Sequence, residues 1–135
     1  MPRALVTSLG VVIACLLAGC GGERTFDAGE FVDEVNDEGA QLTLGESLSS
    51  SRDDVDLYVV SFADPGSATG GEGHTGGTLA IAADVDAAIA EFARCEGSVT
   101  LACYRAANAV LYFEGEPTDP DIARVDAAVR ALASD

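Results

Sequence analysis

The stretch Leu57-Tyr58-Val59-Val60-Ser61-Phe62 decides the fold, because apolar side chains occupy both faces that a β-strand here would present. Successive side chains of a strand point to opposite sides of a sheet, so a strand that is apolar on both sides needs cover above and below. We therefore predict a strand over 55–63 at a central position in a covered sheet. Such a strand requires further strands beside it and helices packed on the sheet.

Shorter apolar stretches on either side of this strand predict its neighbours. Ala40, Leu42 and Leu44 alternate with polar residues, which is typical of a strand that is buried on one face. Further strands are expected over 78–83, 99–104 and 109–113. Residues 105–108 join the last two strands in a predicted hairpin, and Asn108 is the residue there that best tolerates a left-handed backbone.

The first of three predicted helices begins at Asp27, whose carboxylate is placed to cap it while Glu30 reaches back from three residues on. Phe26 is placed to pack against Phe31 across this first turn, and Gly39 ends the helix. The buried face is expected to consist of Ala28, Phe31, Val32 and Val35.

The second and third predicted helices follow later strands. Asp84 caps the second, which ends near Cys95, while Asp119 and Pro120 open the third as its cap and first helical residue. On the third helix, Asp126 is expected to pair with Arg130. The expected buried stripes consist of Val85, Ala88, Ile89, Phe92 and Ala93 on the second helix and of Ile122, Val125, Val129 and Leu132 on the third.

These elements predict an α+β fold, a two-layer α/β sandwich built on a mostly antiparallel sheet of about five strands. The two later helices are expected to share one face of the sheet, with the N-terminal helix as an additional element. A single domain over 26–135 suits the length of the chain. Within it, residues 64–77 contain six glycines and are predicted to form a flexible loop.

The N-terminus carries the pattern Leu17-Ala18-Gly19-Cys20 at the end of an apolar stretch that follows Arg3. It resembles the signal peptides of bacterial lipoproteins, in which such a lipobox marks the cysteine that is diacylated and the preceding peptide bond that is cut. The resemblance implies a signal peptide over 1–19, acyl chains on Cys20, a lipidated tether over 20–25 and a place on the extracytoplasmic face of the cell membrane. An uncleaved anchor is the alternative, although a spanning helix needs about 20 apolar residues.

The four cysteines divide between these two parts of the chain. Cys15 lies in the predicted signal peptide as the end of a second, poorer lipobox, and Cys20 takes the lipid. Cys95 and Cys103 remain as a pair in an oxidising compartment, so we predict a disulfide between them. A redox-active pair and two free buried thiols are the alternatives, although redox motifs usually have two residues between the cysteines and here there are seven.

The chain is strongly acidic, with 23 acidic residues, no lysine and a net charge of −16. Removal of residues 1–19 takes away Arg3 alone and leaves six arginines against the 23 acidic residues, a net charge of −17. Such a surface argues against nucleic acid as a partner and against electrostatic docking on anionic lipid. The composition resembles that of small lipoproteins of actinobacteria, a likeness that implies no activity, and a halophile has a similar composition.

Few residues offer catalytic or metal-binding chemistry. His74, the only histidine, is the one ordinary base near neutral pH, but a catalytic base needs a rigid frame that the glycines of 64–77 do not supply. Carboxylates cluster at 53–56, at Asp84 with Asp86 and at Asp119 with Asp121, without the spacing of a calcium-binding loop. Solvated charge is the favoured interpretation, and we expect neither a metal nor a cofactor.

A small anionic ligand is one further hypothesis. Arg94 and Arg105 flank the predicted disulfide, and Tyr58, Tyr104 and Tyr112 lie on predicted strands, where their hydroxyls would line such a site. In the alternative, the arginines balance nearby carboxylates and the tyrosines pack in the core.

The sequence favours a noncatalytic binding or interaction module of the cell envelope, held at the membrane through the acyl chains on Cys20. Its partner would be another envelope protein. The alternatives are an envelope-associated hydrolase that uses His74 as its base and a calcium-dependent acidic surface protein.

Overall fold

Three helices and five strands make up the part of the chain that the computed structural model describes, which is residues 24–62, 76–116 and 118–134. In chain order they are α1 (Ala28–Asp37), β1 (Leu42–Leu48), β2 (Val55–Phe62), β3 (Gly76–Ala82), α2 (Val85–Glu96), β4 (Leu101–Ala106), β5 (Ala109–Glu114) and α3 (Pro120–Ser134). This set of elements confirms the predicted α+β class.

The strands form one open sheet in the order β1-β2-β3-β5-β4, and every neighbouring pair is antiparallel. β3 holds the middle of the sheet and β2 is the inner strand next to it, so the doubly apolar stretch 57–62 does lie inside the sheet. The two edges differ. β1 has an irregular register between Leu44 and Ser47, whereas β4 pairs with β5 without interruption from Leu101 to Ala106.

Each face of the sheet carries its own apolar cluster. Leu79, Leu111 and Phe113 point to one face, where they pack with residues of α1 and α3. Ala80 and Val110, which alternate with them along β3 and β5, point to the other face and pack with α2. The helices therefore lie on both sides of the sheet, in three layers and not in the two layers that the sequence predicts.

The expectation that the two later helices share a face is wrong, because α1 and α3 share one face and α2 lies alone on the other. The buried side of α2 also differs from the predicted stripe: it consists of Ala88, Glu91 and Cys95, while Ile89 is 47% exposed. A disulfide from Cys95 to β4 and an ion pair of Glu91 with Arg52 hold this side of the helix against the sheet.

The cap, the aromatic contact and the ending glycine of α1 act as predicted, whereas the Glu30 carboxylate accepts a hydrogen bond from Arg24 at 3.1 Å. The Asp27 carboxylate accepts a hydrogen bond from the Glu30 N–H at 2.8 Å, and the rings of Phe26 and Phe31 meet edge to face with centroids 5.5 Å apart. Gly39 follows the helix with a φ of 100°, a left-handed conformation that glycine adopts without strain. The predicted buried residues Ala28, Phe31, Val32 and Val35 are all in the core.

The third helix also agrees with its sequence signals. An Asp119 carboxylate oxygen accepts from the Asp121 N–H at 3.2 Å, and Arg130 donates to Asp126 at 2.6 Å. Ile122, Val125 and Val129 are buried, and Leu132 packs against them at the edge of the cluster.

The hairpin between β4 and β5 is tighter than predicted, since only Ala107 and Asn108 connect the strands. The left-handed residue is Ala107, with a φ of 52°, and not Asn108. Asn108 is instead buried, and its side chain bonds to the backbone of Phe26 and Ala82.

Gly76 and Gly77 belong to β3, so the predicted flexible loop 64–77 is wrong at its C-terminal end. A Cβ atom on Gly76 would lie 2.0 Å from the carbonyl oxygen of Val60, and one on Gly77 would lie 2.4 Å from that of Tyr112. These two glycines therefore serve close approach of neighbouring strands rather than flexibility. The remainder of the predicted loop, 64–75, lies outside the described residues.

Candidate functional site

Several predicted site residues lie outside the described part of the chain. These are the lipidation site Cys20, the cleavage motif Leu17, Ala18 and Gly19, and the speculative base His74. The described residues do hold the predicted disulfide, and they contain a surface that the sequence did not predict.

Cys95 and Cys103 form the predicted disulfide, with their Cα atoms 6.1 Å apart. Cys95 stands in the last turn of α2 and Cys103 near the middle of β4. The bond therefore fixes the end of a helix to a strand at the edge of the sheet.

The outer edge of β4 carries no neighbouring strand among the described residues. The Ala82 N–H donates to the Asn108 carbonyl at 2.9 Å, so the backbone groups of Asn108 point toward β3. Because the direction alternates along an antiparallel strand, every second residue of β5 after Asn108 also forms its backbone hydrogen bonds with β3. The residues between them bond toward β4, and in this alternation Tyr104 pairs with Leu111 by hydrogen bonds. The N–H and C=O groups of Cys103 consequently point away from β5, toward the open edge.

A groove lies along this edge, with a cavity volume of about 300 Å³. β4 forms its floor, α2 one wall and α3 the other. We call it the β4 groove. It is lined by Phe92 and Glu96 from α2, by Cys103, Tyr104 and Arg105 from β4, and by Asp126, Val129, Arg130 and Ala133 from α3.

The charges in the β4 groove balance. Asp126 and Arg130 pair within α3, and Glu96 and Arg105 add one charge of each sign, so the lining is neutral in a chain of net charge −16. Its apolar part comes from Phe92, Val129 and Ala133. This surface therefore differs from the acidic character of the whole protein.

Tyr104 places a polar group in this region. Its hydroxyl oxygen is buried and has no hydrogen-bond partner among the described residues. Burial raises the pKa of Tyr104 above its ordinary value, the negative charge of Asp126 raises it further, and the positive charge of Arg130 opposes both. Tyr104 is accordingly a neutral phenol at physiological pH.

An exposed apolar side chain of α2 extends the groove. Three large apolar side chains are exposed in the described residues, Leu48, Ile89 and Val99, and of these Ile89 lies on an element that builds the groove. Ile89, 47% exposed, precedes Phe92 by three positions on α2 and so continues the same wall. Val99, fully exposed, lies in the turn that joins α2 to β4.

The residues of the hypothetical anionic site do not come together. Tyr58 packs with the cluster under α1 and α3, whereas Tyr112 packs with the cluster under α2 on the opposite face. The Arg94 side chain is 60% exposed and lies 3.6 Å from Glu91, and Arg105 donates to the Ala107 carbonyl at 2.8 Å. Of the five, only Tyr104 and Arg105 lie together, in the β4 groove.

The sequence did not predict the burial of three polar side chains, and two of them, Glu91 and Asp121, are carboxylates on helices. Glu91 lies at the helical spacing of Ala88 and Cys95, and it pairs with Arg52 from the connection between β1 and β2. Asp121, in the first turn of α3, is 1% exposed and pairs with Arg124. The helical spacing of Glu91 with a disulfide cysteine was the one signal for its burial.

Asn108 is the third such group. Its side-chain oxygen accepts from the Phe26 N–H at 2.6 Å, while its side-chain nitrogen donates to the carbonyls of Phe26 and Ala82, each at 3.0 Å. The hairpin tip thus holds the segment that precedes α1. No local sequence signal identifies this contact, because its partners are 82 and 26 residues away.

In residues 24–62, 76–116 and 118–134, no three histidine, cysteine, aspartate or glutamate side chains are grouped as metal ligands. Asp84 caps α2 by accepting from the Ala87 N–H at 2.8 Å. Among the same residues, none of the helices has the length and apolar character that crossing a membrane requires.

The chain was compared with models of protein families, with curated proteins and with solved structures. None of these comparisons gave a match.

Proposed function

We propose that the protein is a lipoprotein of the cell envelope, held on the extracytoplasmic face of the membrane by acyl chains on Cys20, and that it serves as a noncatalytic binding module. The observation that carries the binding role is the β4 groove, in which an open strand edge lies between two helices. Backbone groups on an open strand edge and apolar side chains beside them suit the binding of a polypeptide partner.

The disulfide supports the location. Structural disulfides form and persist outside the reducing cytosol, so a Cys95–Cys103 bond suits an extracytoplasmic protein. The lipobox Leu17-Ala18-Gly19-Cys20 supports export and lipidation. Because the mature chain carries a net charge of −17, an anionic membrane surface would repel it, and attachment would depend on the acyl chains.

The start of the domain supports a short tether. Phe26 is held by Asn108, and the Arg24 guanidinium carbon lies 4.2 Å from the centroid of the Phe26 ring. Arg24 also pairs with Glu30 and Glu34 on α1. Only three residues separate Cys20 from Arg24, so the domain begins within roughly 14 Å of the lipidated residue.

The anchor is tested by metabolic labelling of cells that produce the full chain with an alkyne analogue of palmitate. Wild type is expected to incorporate the label and to fractionate with membranes. Cys20→Ser is expected to abolish incorporation, whereas Cys15→Ser, in the poorer lipobox, is expected to leave it intact. Label retained in Cys20→Ser would overturn the assignment of the lipidation site.

The binding role is tested by a photo-crosslinking amino acid placed at Ala133, which lines the groove, in intact cells. The matched control places it at Ala127, which is exposed on the same helix outside the groove. We expect a discrete adduct from position 133 and none from position 127. Equal labelling from both positions, or none from either, would contradict a binding role for the groove.

A further inference from the structure

We propose that the β4 groove binds one extended, uncharged polypeptide segment, which adds to the sheet as a sixth strand beside β4. This inference rests on the proposed binding role and names the partner of that same site. Four features of the structure support it.

The first feature is the free edge itself. An open strand edge is recognised by another extended backbone, because its N–H and C=O groups are spaced to pair with one. β4 keeps a regular register along its whole length, and the N–H and C=O of Cys103 point outward at its middle. A strand added there would exchange both of its ladder bonds with Cys103.

The second feature is the contrast with the other edge. Natural sheets protect exposed edges with bulges and with charged side chains. β1 has both, since its register is interrupted between Leu44 and Ser47 and the interruption contains the exposed Glu46. β4 has no such interruption, and its one charged residue is Arg105. The bulge that protects β1 is therefore absent where the groove lies.

The third feature is the pair of walls. A neighbouring strand lies about 4.8 Å from β4, and its side chains alternate between the two faces of the sheet. One set would meet Phe92 on α2, and the other would meet Val129 and Ala133 on α3. The exposed Ile89 extends the first contact by one helical turn. The groove therefore offers apolar contact to both faces of the added strand.

The fourth feature is charge. The lining residues of the groove sum to zero, so they favour neither an acidic nor a basic segment. A second copy of this chain is disfavoured, because each mature copy carries −17 and like charges repel. The walls on both sides of β4 also fit a single strand better than the edge of another helix-covered sheet. These points favour a low-charge segment of a different polypeptide.

The test uses the full mature acylated chain in detergent micelles and three capped heptapeptides in which valine alternates with threonine, with glutamate or with lysine. Amide exchange is followed by NMR. With the valine–threonine peptide near saturation, the Cys103 N–H is expected to be hydrogen-bonded to the peptide about nine-tenths of the time. Its exchange with solvent is then expected to be about tenfold slower than in the free protein. The comparison is made at about 1 M salt, which screens the attraction between the lysine peptide and the acidic protein, and both charged peptides are expected to bind more weakly.

Two controls make the result specific. N-methylation of every peptide residue removes the donors on both edges of the peptide, and it is expected to abolish the slowing at Cys103. Ala133→Trp fills the groove and is expected to weaken binding, whereas Ala127→Trp on the same helix leaves binding unchanged. Unchanged exchange at Cys103, or equal binding of the N-methylated peptide, would overturn strand addition. Both results come from the unmodified protein and so do not depend on whether the tryptophan variants fold.

The outcome is distinguishable from failure of the proposed function. An adduct at position 133 in cells, together with no protection at Cys103 by any peptide, retains the binding role and overturns strand addition. An adduct that joins two copies of this chain overturns the choice of partner. Absence of any adduct contradicts the binding role itself.

Discussion

Asn108 connects three parts of the chain that lie far apart in the sequence. Its side chain makes three hydrogen bonds to the backbone of Phe26 and Ala82, and it is 2% exposed. An asparagine can satisfy an N–H and two carbonyls at once because its amide both accepts and donates. Asparagine therefore fits this position, whereas aspartate would bring a charge and no side-chain donor.

Asn108→Ala is expected to lower the free energy of unfolding by about 3 kcal/mol, because buried backbone groups lose their partners. The change is measured by urea unfolding, and amide exchange of residues 24–27 is expected to accelerate at the same time. Ser98→Ala, which removes one exposed hydrogen bond to Thr100, serves as the control with a loss below about 0.5 kcal/mol. Equal stabilities of the two variants would show that Asn108 does not hold the segment.

The pKa of Tyr104 depends on two charged side chains of α3, in addition to burial. Since Asp126 raises its pKa and Arg130 lowers it, Asp126→Asn is expected to move the tyrosinate absorbance transition of Tyr104 to lower pH, and Arg130→Gln to higher pH. Asp33→Asn, on the exposed side of α1, is the control and leaves the transition in place. Shifts of the same sign in both α3 variants would contradict this account.

The same pKa shift links Tyr104 to stability. A pKa raised in the folded state above its ordinary value of 10.0 means that folding favours the neutral phenol. The resulting stabilisation is fully present below about pH 10 and is lost as the pH rises through the raised pKa. Tyr112, whose pKa is raised first by burial and then by Glu91, contributes in the same direction.

At the scale of the element, α2 is held by polar groups as well as by apolar packing. Glu91 keeps only 10% of its side chain exposed, and its partner Arg52 keeps 26%. Removal of one partner leaves a buried charge, whereas replacement of both by apolar residues removes the need for a partner. Arg94 also lies 3.6 Å from Glu91, but its side chain is 60% exposed, so Arg52 is the main partner of the buried carboxylate.

Arg52→Ala is expected to lower the free energy of unfolding by about 3 kcal/mol, the lower part of the range for a broken buried pair, because Arg52 is partly solvated. The double variant Arg52→Met with Glu91→Leu is expected to recover most of this loss in urea unfolding. Arg130→Ala breaks the exposed pair with Asp126 and is the control, with a smaller loss. A double variant no more stable than Arg52→Ala would contradict the explanation by buried charge.

The elements also show how far the sequence predicts the structure. The bounds of α1 were predictable because local residues determine them. Its cap, its aromatic contact and its ending glycine all have the roles that the sequence predicts. α2 began and ended as predicted, but its orientation did not follow from periodicity. Its apolar stripe includes both Ile89 and Ala88, and tertiary bonds from Cys95 and Glu91 selected the side that contains Ala88.

The candidate site was less predictable than the fold for a similar reason. The disulfide followed from the count of cysteines, but the open edge of β4 depends on strand order, which no local pattern specifies. The sequence predicts Gly76 and Gly77 to be flexible, because composition does not distinguish a loop from a close approach of two backbones. Contacts between distant segments decided each of these cases.

For the whole molecule, the attachment of Phe26 gives the proposed anchored protein an orientation. Asn108 holds Phe26 at the end of the sheet that contains the hairpin tip, Val55 and Ala82, which we call the anchor end. The opposite end contains Phe62 and Gly76 together with the start of β4. The eight residues of β2 separate the two ends by about 26 Å.

The anchored protein is therefore expected to place its anchor end nearer the membrane than its opposite end. The measurement uses the acylated chain in vesicles with a nickel-chelating lipid and a nitroxide attached at Asp53→Cys, beside the anchor end, or at Glu116→Cys, beyond the opposite end. Because the tether reaches only about 14 Å, nickel is expected to relax the label at position 53 more strongly than the label at position 116. The unacylated Cys20→Ser form of each variant is the control and should show no difference between the positions. Equal relaxation in the acylated proteins would mean that the domain reorients freely on its anchor, so the contact between Asn108 and Phe26 would not set its orientation at the membrane.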